Sequence, residues 1–309
     1  NIISAKFVSY DDEMQFMILN DSASVINDNS GISGDKIIIQ YSDSIMKKIE
    51  IIDKAQAYYD IYAKINKEGA DRIFQNKMSS KKMVVDLINN ELDKLKLFNM
   101  ATTNYNVIDD SILVGNNIAS GDSIFINFIN KEISRLQVQG GTIGEFHPEN
   151  NNSKIDTIIF YGGEYLDYQI KEEKTIISTN AYVEYQDTEL QSGKIIVDWK
   201  TNILDAVYYN DEYPSVKTVG EEPMYGNAMV FDLTTKHGRI LKGKTSYNEA
   251  LYLGKEVYRD APNTFHVKKS KYTSCDLERP HFYLGSNKMK LQLFVLPLPN
   301  QFGSLWVNF

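Results

Sequence analysis

A strand-turn-strand pattern that recurs along the chain is the feature that most constrains its fold. In the first copy, Gly34–Ala57, apolar and polar residues alternate from Ile37 to Tyr41, a polar break follows at 42–44, and alternation resumes up to Ala55. Alternation over about five residues is typical of a β-strand with one apolar face, and a short polar break between two such runs indicates a turn. Each copy therefore predicts two strands that supply half of a core.

The same layout returns further along the chain at irregular intervals. Three later copies begin at Met83, Ile124 and Ile195, at intervals of 46, 41 and 71 residues, and a shortened copy begins at Leu166. A strand pair is not stable alone in water, so neighbouring copies must stack their apolar faces. The unequal intervals argue against a strict solenoid of identical rungs. We therefore predict an all-β fold in which a long sheet of stacked repeats folds over on itself.

Two other segments are assigned by comparison with the repeat. Ile3–Ile26 is predicted to form two strands, because the spacing of 14 residues from an alanine to the next repeat recurs at both Ala23 and Ala181. The apolar residues of Lys81–Phe98 fit a helical face as well as two strands. Its alignment with the repeat favours strands.

The pattern changes near residue 214. Pro214 and Pro223 interrupt the repeat, and glycines then mark short turns between further strands. We place a soft boundary at 210–222, which divides the chain into a repeat region, 1–212, and a C-terminal segment, 213–309. Both parts are predicted to be all-β, so they can share one continuous sheet.

Composition narrows the possible functions. A net charge of −8 and a pI near 5.2 give no reason to expect nucleic acid as a partner, since such a surface needs clustered Lys and Arg. A single cysteine, Cys275, excludes an internal disulfide framework and a cysteine-based zinc site. No apolar run is long enough for a membrane helix. Asn1–Ser4 lacks the features of a signal peptide, so we expect either that a signal was removed or that the chain is a cut piece.

The C-terminal part contains the most specific sequence strings. They are Tyr225–Asp232, Thr235–Arg239, Tyr272–Asp276, Arg279–Tyr283 and Lys288–Lys290. Together they resemble the periplasmic region of the LPS-assembly protein family LptD, also called OstA. The N-terminal repeats are similar to the OstA-like repeats of that family and of its periplasmic relatives, so the resemblance covers nearly the whole chain.

The resemblance implies a fold and a function. Members of the family form a folded-over β-jelly-roll, open along one side, whose apolar interior holds the acyl chains of lipopolysaccharide. The chain is then expected to be a non-enzymatic lipid-transport module, without cofactors, at the periplasmic face of the outer membrane. The family's outer-membrane β-barrel would begin where this chain ends, at Ser304–Phe309.

The resemblance also implies partners. They are lipopolysaccharide, a bridge protein of the LptA type that pairs with an edge strand, and an LptE-like lipoprotein if the full protein has a barrel. Ile3–Leu19 is the candidate edge for the bridge protein, because unpaired strand edges attract other strands. The alternative is a free-standing bridge protein of the LptA type.

The inward set of the repeats is the candidate lipid lining. Alternating aliphatic residues of this kind are more often the ordinary filled core of a sheet, and the resemblance is what favours a lining. The candidate lining residues are Ile37, Ile39, Tyr41, Val85, Ile124, Ile126, Phe128, Val183, Ile195, Val197, Trp199 and Phe231.

Other chemistry has weak support in the sequence. The four histidines show no metal-ligand spacing, and Gly140–Gly144 is better explained as a turn than as a phosphate loop. Cys275 is either a buried apolar residue or, as the resemblance implies, the partner of a cysteine in the barrel. A carbohydrate-binding or carbohydrate-active β-solenoid is the second hypothesis. It would need paired acids at one rung, whereas the acids here fall mainly at turns.

Overall fold

The protein was analysed as a computed structural model. It describes residues 2–43, 45–130, 132–149, 155–220, 222–235, 237–247, 250–261, 264–277, 280–294 and 304–308. Lys236, Arg279 and Phe309, which belong to the strings named above, lie outside the described residues. The described part contains no helix, so it contains none long and apolar enough to cross a membrane.

Twenty-one strands account for about four fifths of the described chain. They are β1 (Ile2–Ser4), β2 (Phe7–Asp11), β3 (Phe16–Asn27), β4 (Ser30–Ser42), β5 (Ile45–Ala63), β6 (Arg72–Ile88), β7 (Glu91–Asp109), β8 (Ile112–Ile129), β9 (Glu132–Pro148), β10 (Ile159–Gln169), β11 (Lys174–Tyr185), β12 (Thr188–Asp198), β13 (Ile203–Val207), β14 (Ser215–Thr218), β15 (Met224–Tyr225), β16 (Ala228–Asp232), β17 (Gly238–Tyr247), β18 (Ala250–Ala261), β19 (Thr264–Thr273), β20 (Leu284–Phe294) and β21 (Ser304–Asn308).

The chain divides into two compact units, Asn1–Glu173 and Lys174–Phe309. In the first unit, β3 to β10 form an antiparallel meander in which each strand pairs with the next. β1 and β2 both pair with β3, so they form the N-terminal edge of this sheet. Ile3–Ile26, predicted as two strands, is therefore three, and Lys81–Phe98 is two strands rather than a helix.

Every second long strand of the meander bends at a pair of residues in the left-handed region. The pairs are Asp21–Ser22 in β3, Asp53–Lys54 in β5, Asn99–Met100 in β7 and Gly140–Gly141 in β9, with φ between 52° and 78°. The pairing register shifts at these points, as expected for β-bulges, which bend a strand and increase its twist. Thr179–Asn180 repeats the arrangement in β11 of the second unit.

The bends divide the first unit into two arms. The first arm consists of the strand segments 16–20, 36–42, 45–52, 82–88, 91–98, 123–129, 132–139 and 165–169, and the second arm of 23–27, 30–34, 55–63, 72–80, 101–109, 112–121, 142–148 and 159–163.

Two tyrosines show that these arms face each other. Tyr168 in the first arm pairs with Leu136, and the pairing continues through Ile126 to Leu95 on β7. Tyr105 lies ten residues beyond Leu95, about 33 Å away along a straight strand. After burial, the nearby Tyr105 is nevertheless a further cause of the raised pKa of Tyr168, which requires the two side chains to lie near each other. The sheet must therefore fold over at the bends, which confirms the prediction of an all-β, folded-over jelly-roll of stacked repeats.

Small residues line the crease between the arms. Ala23 pairs with Gly34, Ala101 with Gly121, and Ala55 with Ser80. The three alanines are almost completely buried. The alanine that recurs in the sequence repeat thus marks the first residue after a bend, where a larger side chain would hold the arms apart.

Adding one methyl group to this crease should destabilise the first unit. A Cβ at Gly121 would lie 2.5 Å from Cγ1 of Val138, closer than van der Waals contact allows. We expect Gly121→Ala to lower the free energy of unfolding by about 1–3 kcal/mol. Gly238→Ala is the control, because the nearest heavy atom there is 3.5 Å away. Urea unfolding followed by circular dichroism measures both, and equal stability of the two variants would contradict a tightly packed crease.

The second unit follows the same plan with two interrupted strands. β12 pairs with β11 along its length on one side, and on the other side with β13 and β14, which together take the place of one strand. β15 and β16 are the next interrupted strand, and β17 to β21 continue the antiparallel order. The pattern change expected as a boundary at 210–222 lies inside this unit, where the chain passes from β13 to β14, while the compact units divide at 173–174.

Candidate functional site

Two rows of apolar side chains cross the first arm perpendicular to the strands. Each row takes one residue from each of eight strands, and consecutive members are paired in the sheet. The first row consists of Leu19, Ile37, Ile51, Met83, Leu97, Ile124, Val138 and Leu166. The second row consists of Met17, Ile39, Ile49, Val85, Leu95, Ile126, Leu136 and Tyr168.

The first row is covered in this structure, and the second row is covered at Ile39, Val85, Leu95 and Ile126 and half-buried elsewhere. The first seven members of the first row have no exposed surface, and Ile126 in the second row is 1% exposed. A residue next to a water-sized space would retain some accessible surface, so the first row packs against protein atoms along its length. An acyl chain could therefore reach the first row only if the two arms move apart.

The second arm faces these rows with small, aromatic and polar residues. Tyr161 is buried and donates a hydrogen bond from its hydroxyl to Oδ1 of Asn117, at 2.6 Å. Asn76, also buried, accepts hydrogen bonds from the backbone N and the side-chain Nδ2 of Asn106, both at 2.8 Å. The interior is thus aliphatic on one arm and mixed on the other, where buried Met78 and Leu113 lie among polar and aromatic side chains.

Burial determines the protonation of the tyrosines in this interior. It raises the pKa of Tyr168 to about 12, and it also raises the pKa values of Tyr59 and Tyr161. All three hydroxyls are therefore protonated at neutral pH. The interior contains no ionised group among these residues, which suits an apolar or weakly polar occupant.

Two buried polar atoms of the second arm have no hydrogen-bond partner of good geometry. They are Nδ2 of Asn76, which lies near the hydroxyl of Tyr59, and Oγ1 of Thr142. An unsatisfied buried polar group costs about 1–3 kcal/mol.

Five of the residues predicted to line the interior belong to the two rows. Ile37 and Ile124 are in the first row, and Ile39, Val85 and Ile126 are in the second. They were recognised from period-two alternation and from the alignment of the repeats, and the antiparallel register brings them together. Phe128 is buried and Tyr41 is half-buried, and both lie one step beyond the second row on their strands.

The second unit has a corresponding row. Ile195, predicted as a lining residue, is completely buried and pairs with Ile177 and Ala206. The pairing then continues across β16 to β20, so that the row spans eight strands. Its members are Ile177, Ile195, Ala206, Met229, Ile240, Val257, Val267 and Met289.

The other predicted lining residues of the second unit differ in their placement. Val197 is buried and pairs with Leu204, which also pairs with Phe231. Val183 and Phe231 are half-buried. Trp199 does not belong to the interior, because it lies in the turn after β12 and is 36% exposed. Its Nε1 donates a hydrogen bond to Oγ1 of Thr175, at 2.9 Å.

The polar residues of the second arm were not recognised from the sequence. Tyr59 and Tyr105 follow the bends of β5 and β7, and Asn76 and Tyr161 lie on β6 and β10 on the second-arm side of the register shifts that interrupt the alternation. A signal was present in the recurring alanine, since inward positions continue at every second residue after it. Counting on from Ala55 identifies Tyr59, and counting on from Ala101 identifies Tyr105.

The N-terminal edge is exposed and partly apolar. All residues of β1 and β2 are exposed, including Ile2, Phe7, Val8 and Tyr10. The predicted docking segment Ile3–Leu19 was too long. Its last residues belong to β3, which pairs with β2 on one side and β4 on the other, so only β1 and β2 form the edge.

Cys275 follows β19 and is half-buried with a free thiol. Its backbone N donates a hydrogen bond to Oγ1 of Thr273, at 3.0 Å. Its pairing with a cysteine elsewhere remains a prediction. Within the described residues, no group of three or more His, Cys, Asp or Glu side chains could hold a metal ion.

Comparisons with known proteins give one structural likeness. No protein-family model matches the chain, and no curated protein matches it. Among solved structures, the chain is similar to LptH of Pseudomonas aeruginosa, described as the LptA-homologous periplasmic component of the lipopolysaccharide transport device. The TM-score is 0.31 with 12% identity, over 45% of this chain and 81% of LptH. At this level the likeness carries no argument about what the present chain binds.

Proposed function

We propose that this chain is a periplasmic lipid-transport module that carries the acyl chains of lipopolysaccharide between the two arms of its folded sheet. The observation that carries the proposal is the pair of continuous apolar rows, which cross eight strands without an ionised group. An acyl chain lying along such a row would meet equivalent aliphatic contacts at every strand. Transport along the rows then needs no deep binding site and no catalytic residue.

The energetics favour such an occupant once the arms separate. Shielding about a dozen methylenes from water contributes roughly 10 kcal/mol, at about 0.8 kcal/mol for each CH₂. Separating the arms exposes the two rows, and an acyl chain that takes the place of the opposite arm offsets that exposure. The second arm, with its mixed side chains, would then face the polar end of the lipid or the solvent.

The proposal holds for both kinds of protein in the family that the sequence resembles. The chain would serve in the same way as part of an LptD-like protein, with an outer-membrane barrel and an LptE-like partner, or as a bridge protein of the LptA type. A carbohydrate-active β-solenoid has less support. Its rungs would pair in parallel, whereas every strand pairing described here is antiparallel apart from one isolated bridge between Lys64 and Ile112.

Photo-crosslinking in cells tests the proposed lining. A photoreactive phenylalanine analogue at Ile39, Ile126 or Val197 is expected to capture labelled lipopolysaccharide, because these positions face the interior. The same analogue at Ile143, which is 58% exposed, is the control and should capture at least tenfold less. Absence of capture at all three interior positions, in protein that is folded by circular dichroism, would remove the proposal.

The exposed edge at β1 and β2 supports pairing with a bridge protein. A lysine on an edge strand opposes the addition of another strand. We expect Val8→Lys to weaken binding of an LptA-type bridge protein by about tenfold or more, since Val8 lies in the centre of β2, which among the described residues pairs with β3 alone. Val219→Lys, at an exposed position of the second unit, provides the matched control. Biolayer interferometry measures both affinities, and equal affinities would place the docking surface elsewhere.

A further inference from the structure

Charge is distributed unevenly along this acidic chain. Residues 1–232 contain 21 Lys and Arg against 36 Asp and Glu, whereas residues 233–309 contain 12 against 5. The C-terminal region is therefore basic in a protein whose net charge is −8. Such an asymmetry points to a partner with negative charge.

The sheet gathers part of this positive charge on one face of β17 to β20. Ile240, Val257, Val267 and Met289 form a paired row that is buried in the core. Because neighbouring residues on a strand point to opposite faces, the two flanking rows lie on the outer face. These rows are Arg239, Tyr258, His266 and Lys290, and Leu241, Glu256, Lys268 and Lys288.

Cations outnumber acids on this outer face. Among these eight positions the one carboxylate is Glu256, which pairs with Arg239 at 2.9 Å and with Lys268 at 3.2 Å. The hydroxyl of Tyr258 also donates to it. Hydrogen bonds from these three groups hold the pKa of Glu256 at about 2. Lys288 and Lys290 face no second carboxylate within the two rows.

Exposed apolar side chains lie beyond the cationic rows, toward the end of β19 and the start of β20. Leu277, Phe282, Tyr283 and Leu284 lie between β19 and the start of β20, and each is about half exposed or more. The ammonium of Lys271 lies 4.3 Å from the centre of the Tyr283 ring, which joins the apolar group to the basic strand β19. Aromatic and aliphatic side chains beside lysines are typical of proteins that insert shallowly into a membrane interface.

We propose that the outer face of β17 to β20 binds the surface of an anionic phospholipid bilayer. Four strands spread the cations over about 15 Å, which matches an extended charged surface rather than one small anion. A nucleic acid would use the cations but would leave Leu277 and Leu284 in water. A bilayer uses both, since phosphates pair with the lysines while the apolar side chains enter the headgroup region. This proposal goes beyond lipid carriage and does not depend on the interior rows.

Vesicle sedimentation with the full chain tests the proposal. Binding is expected to vesicles with about one third phosphatidylglycerol in phosphatidylcholine, and it should fall as salt is raised. Removing three charges with Lys268→Gln, Lys288→Gln and Lys290→Gln together should lower the partition coefficient by about 100-fold, at roughly fivefold for each charge. Lys47→Gln, Lys77→Gln and Lys81→Gln together, in the first unit, make the matched control and should change it less than about twofold.

Further experiments distinguish a bilayer from other anionic partners. Phe282→Ser with Leu284→Ser should weaken vesicle binding while leaving its salt dependence unchanged, and inorganic phosphate at constant ionic strength should not displace the vesicles. Circular dichroism verifies that all variants are folded. Equal binding to pure phosphatidylcholine, an equal loss in both lysine triples, or unchanged binding by the serine variant would overturn the proposal. Displacement of the vesicles by inorganic phosphate, or tighter binding of a DNA duplex that depends on the same lysines, would overturn it too.

Discussion

Replacing Ile126 with aspartate is expected to unfold the first unit. Ile126 is 1% exposed and lies in the second apolar row, where Leu95 and Leu136 are its paired neighbours. The change removes the buried aliphatic group and places a carboxylate where no cation can pair with it. We expect the free energy of unfolding to fall by at least about 4 kcal/mol.

Ile143→Asp is the matched control for this prediction. Ile143 lies on the neighbouring strand β9 and pairs with Ser120 and Gly162, but its side chain is exposed. The same substitution there should change the free energy of unfolding by less than about 0.5 kcal/mol. Urea unfolding monitored by circular dichroism provides both values. A stable Ile126→Asp protein would mean that water reaches this row in solution, and thus that the arms are open.

This prediction limits what charged variants can reveal about transport. If Ile126→Asp unfolds the unit, its failure to carry lipid follows from the loss of structure and says nothing about the lining. The structure therefore favours tests that leave the rows intact. Such tests control whether the arms can separate, or report on the interior without adding charge.

The first arm could be predicted from the sequence because two local rules determine it. Alternation specifies which side chains share a face, and a one-residue slip would reverse every face, so the apolar pattern also fixes the register. The turns at 89–90 and 110–111 add to this, because residues with positive φ at both positions are typical of tight hairpins. Ile37 and Ile124, aligned through the repeat, consequently lie in one buried row.

The fold-over of each strand could not be predicted from the same rules. The alternation after the polar break was interpreted as a strand that ends near Ala55, whereas β5 continues to Ala63. The bend falls on Asp53 and Lys54, and an Asp-Lys pair carries no signal comparable to glycine for the left-handed region. The bend is stabilised by packing between arms, which is a tertiary effect.

The interruptions in the strands of the second unit could not be predicted from the local sequence pattern either. β13 and β14 occupy one strand position although they are separated by residues 208–214. The sequence signals at Pro214 and Pro223 were interpreted as a boundary between regions. They mark interruptions inside a sheet instead, because β12 pairs with β13 before the interruption and with β14 after it.

Linking the two arms of the first unit is expected to stop lipid entry. Tyr105 and Tyr168 lie on opposite arms, and Tyr105 contributes to the raised pKa of Tyr168, so we choose these positions for cysteines to be joined by a bifunctional maleimide. The variant also carries Cys275→Ser, which removes the native thiol. Because Ile39 is buried in the closed state, a link that prevents separation of the arms should reduce capture of labelled lipopolysaccharide at Ile39 by more than tenfold.

A link within one arm is the control for this experiment. Ser79 and Thr102 are paired on β6 and β7 of the second arm, where their side-chain oxygens lie 2.6 Å apart. Joining cysteines at these two positions adds the same chemistry but leaves the arms free to separate, so capture at Ile39 should be unchanged. Unlinked Tyr105→Cys/Tyr168→Cys protein should also capture lipid. If the cross-arm link forms and capture continues at its original level, lipid does not enter between the arms, and the apolar rows are a core alone.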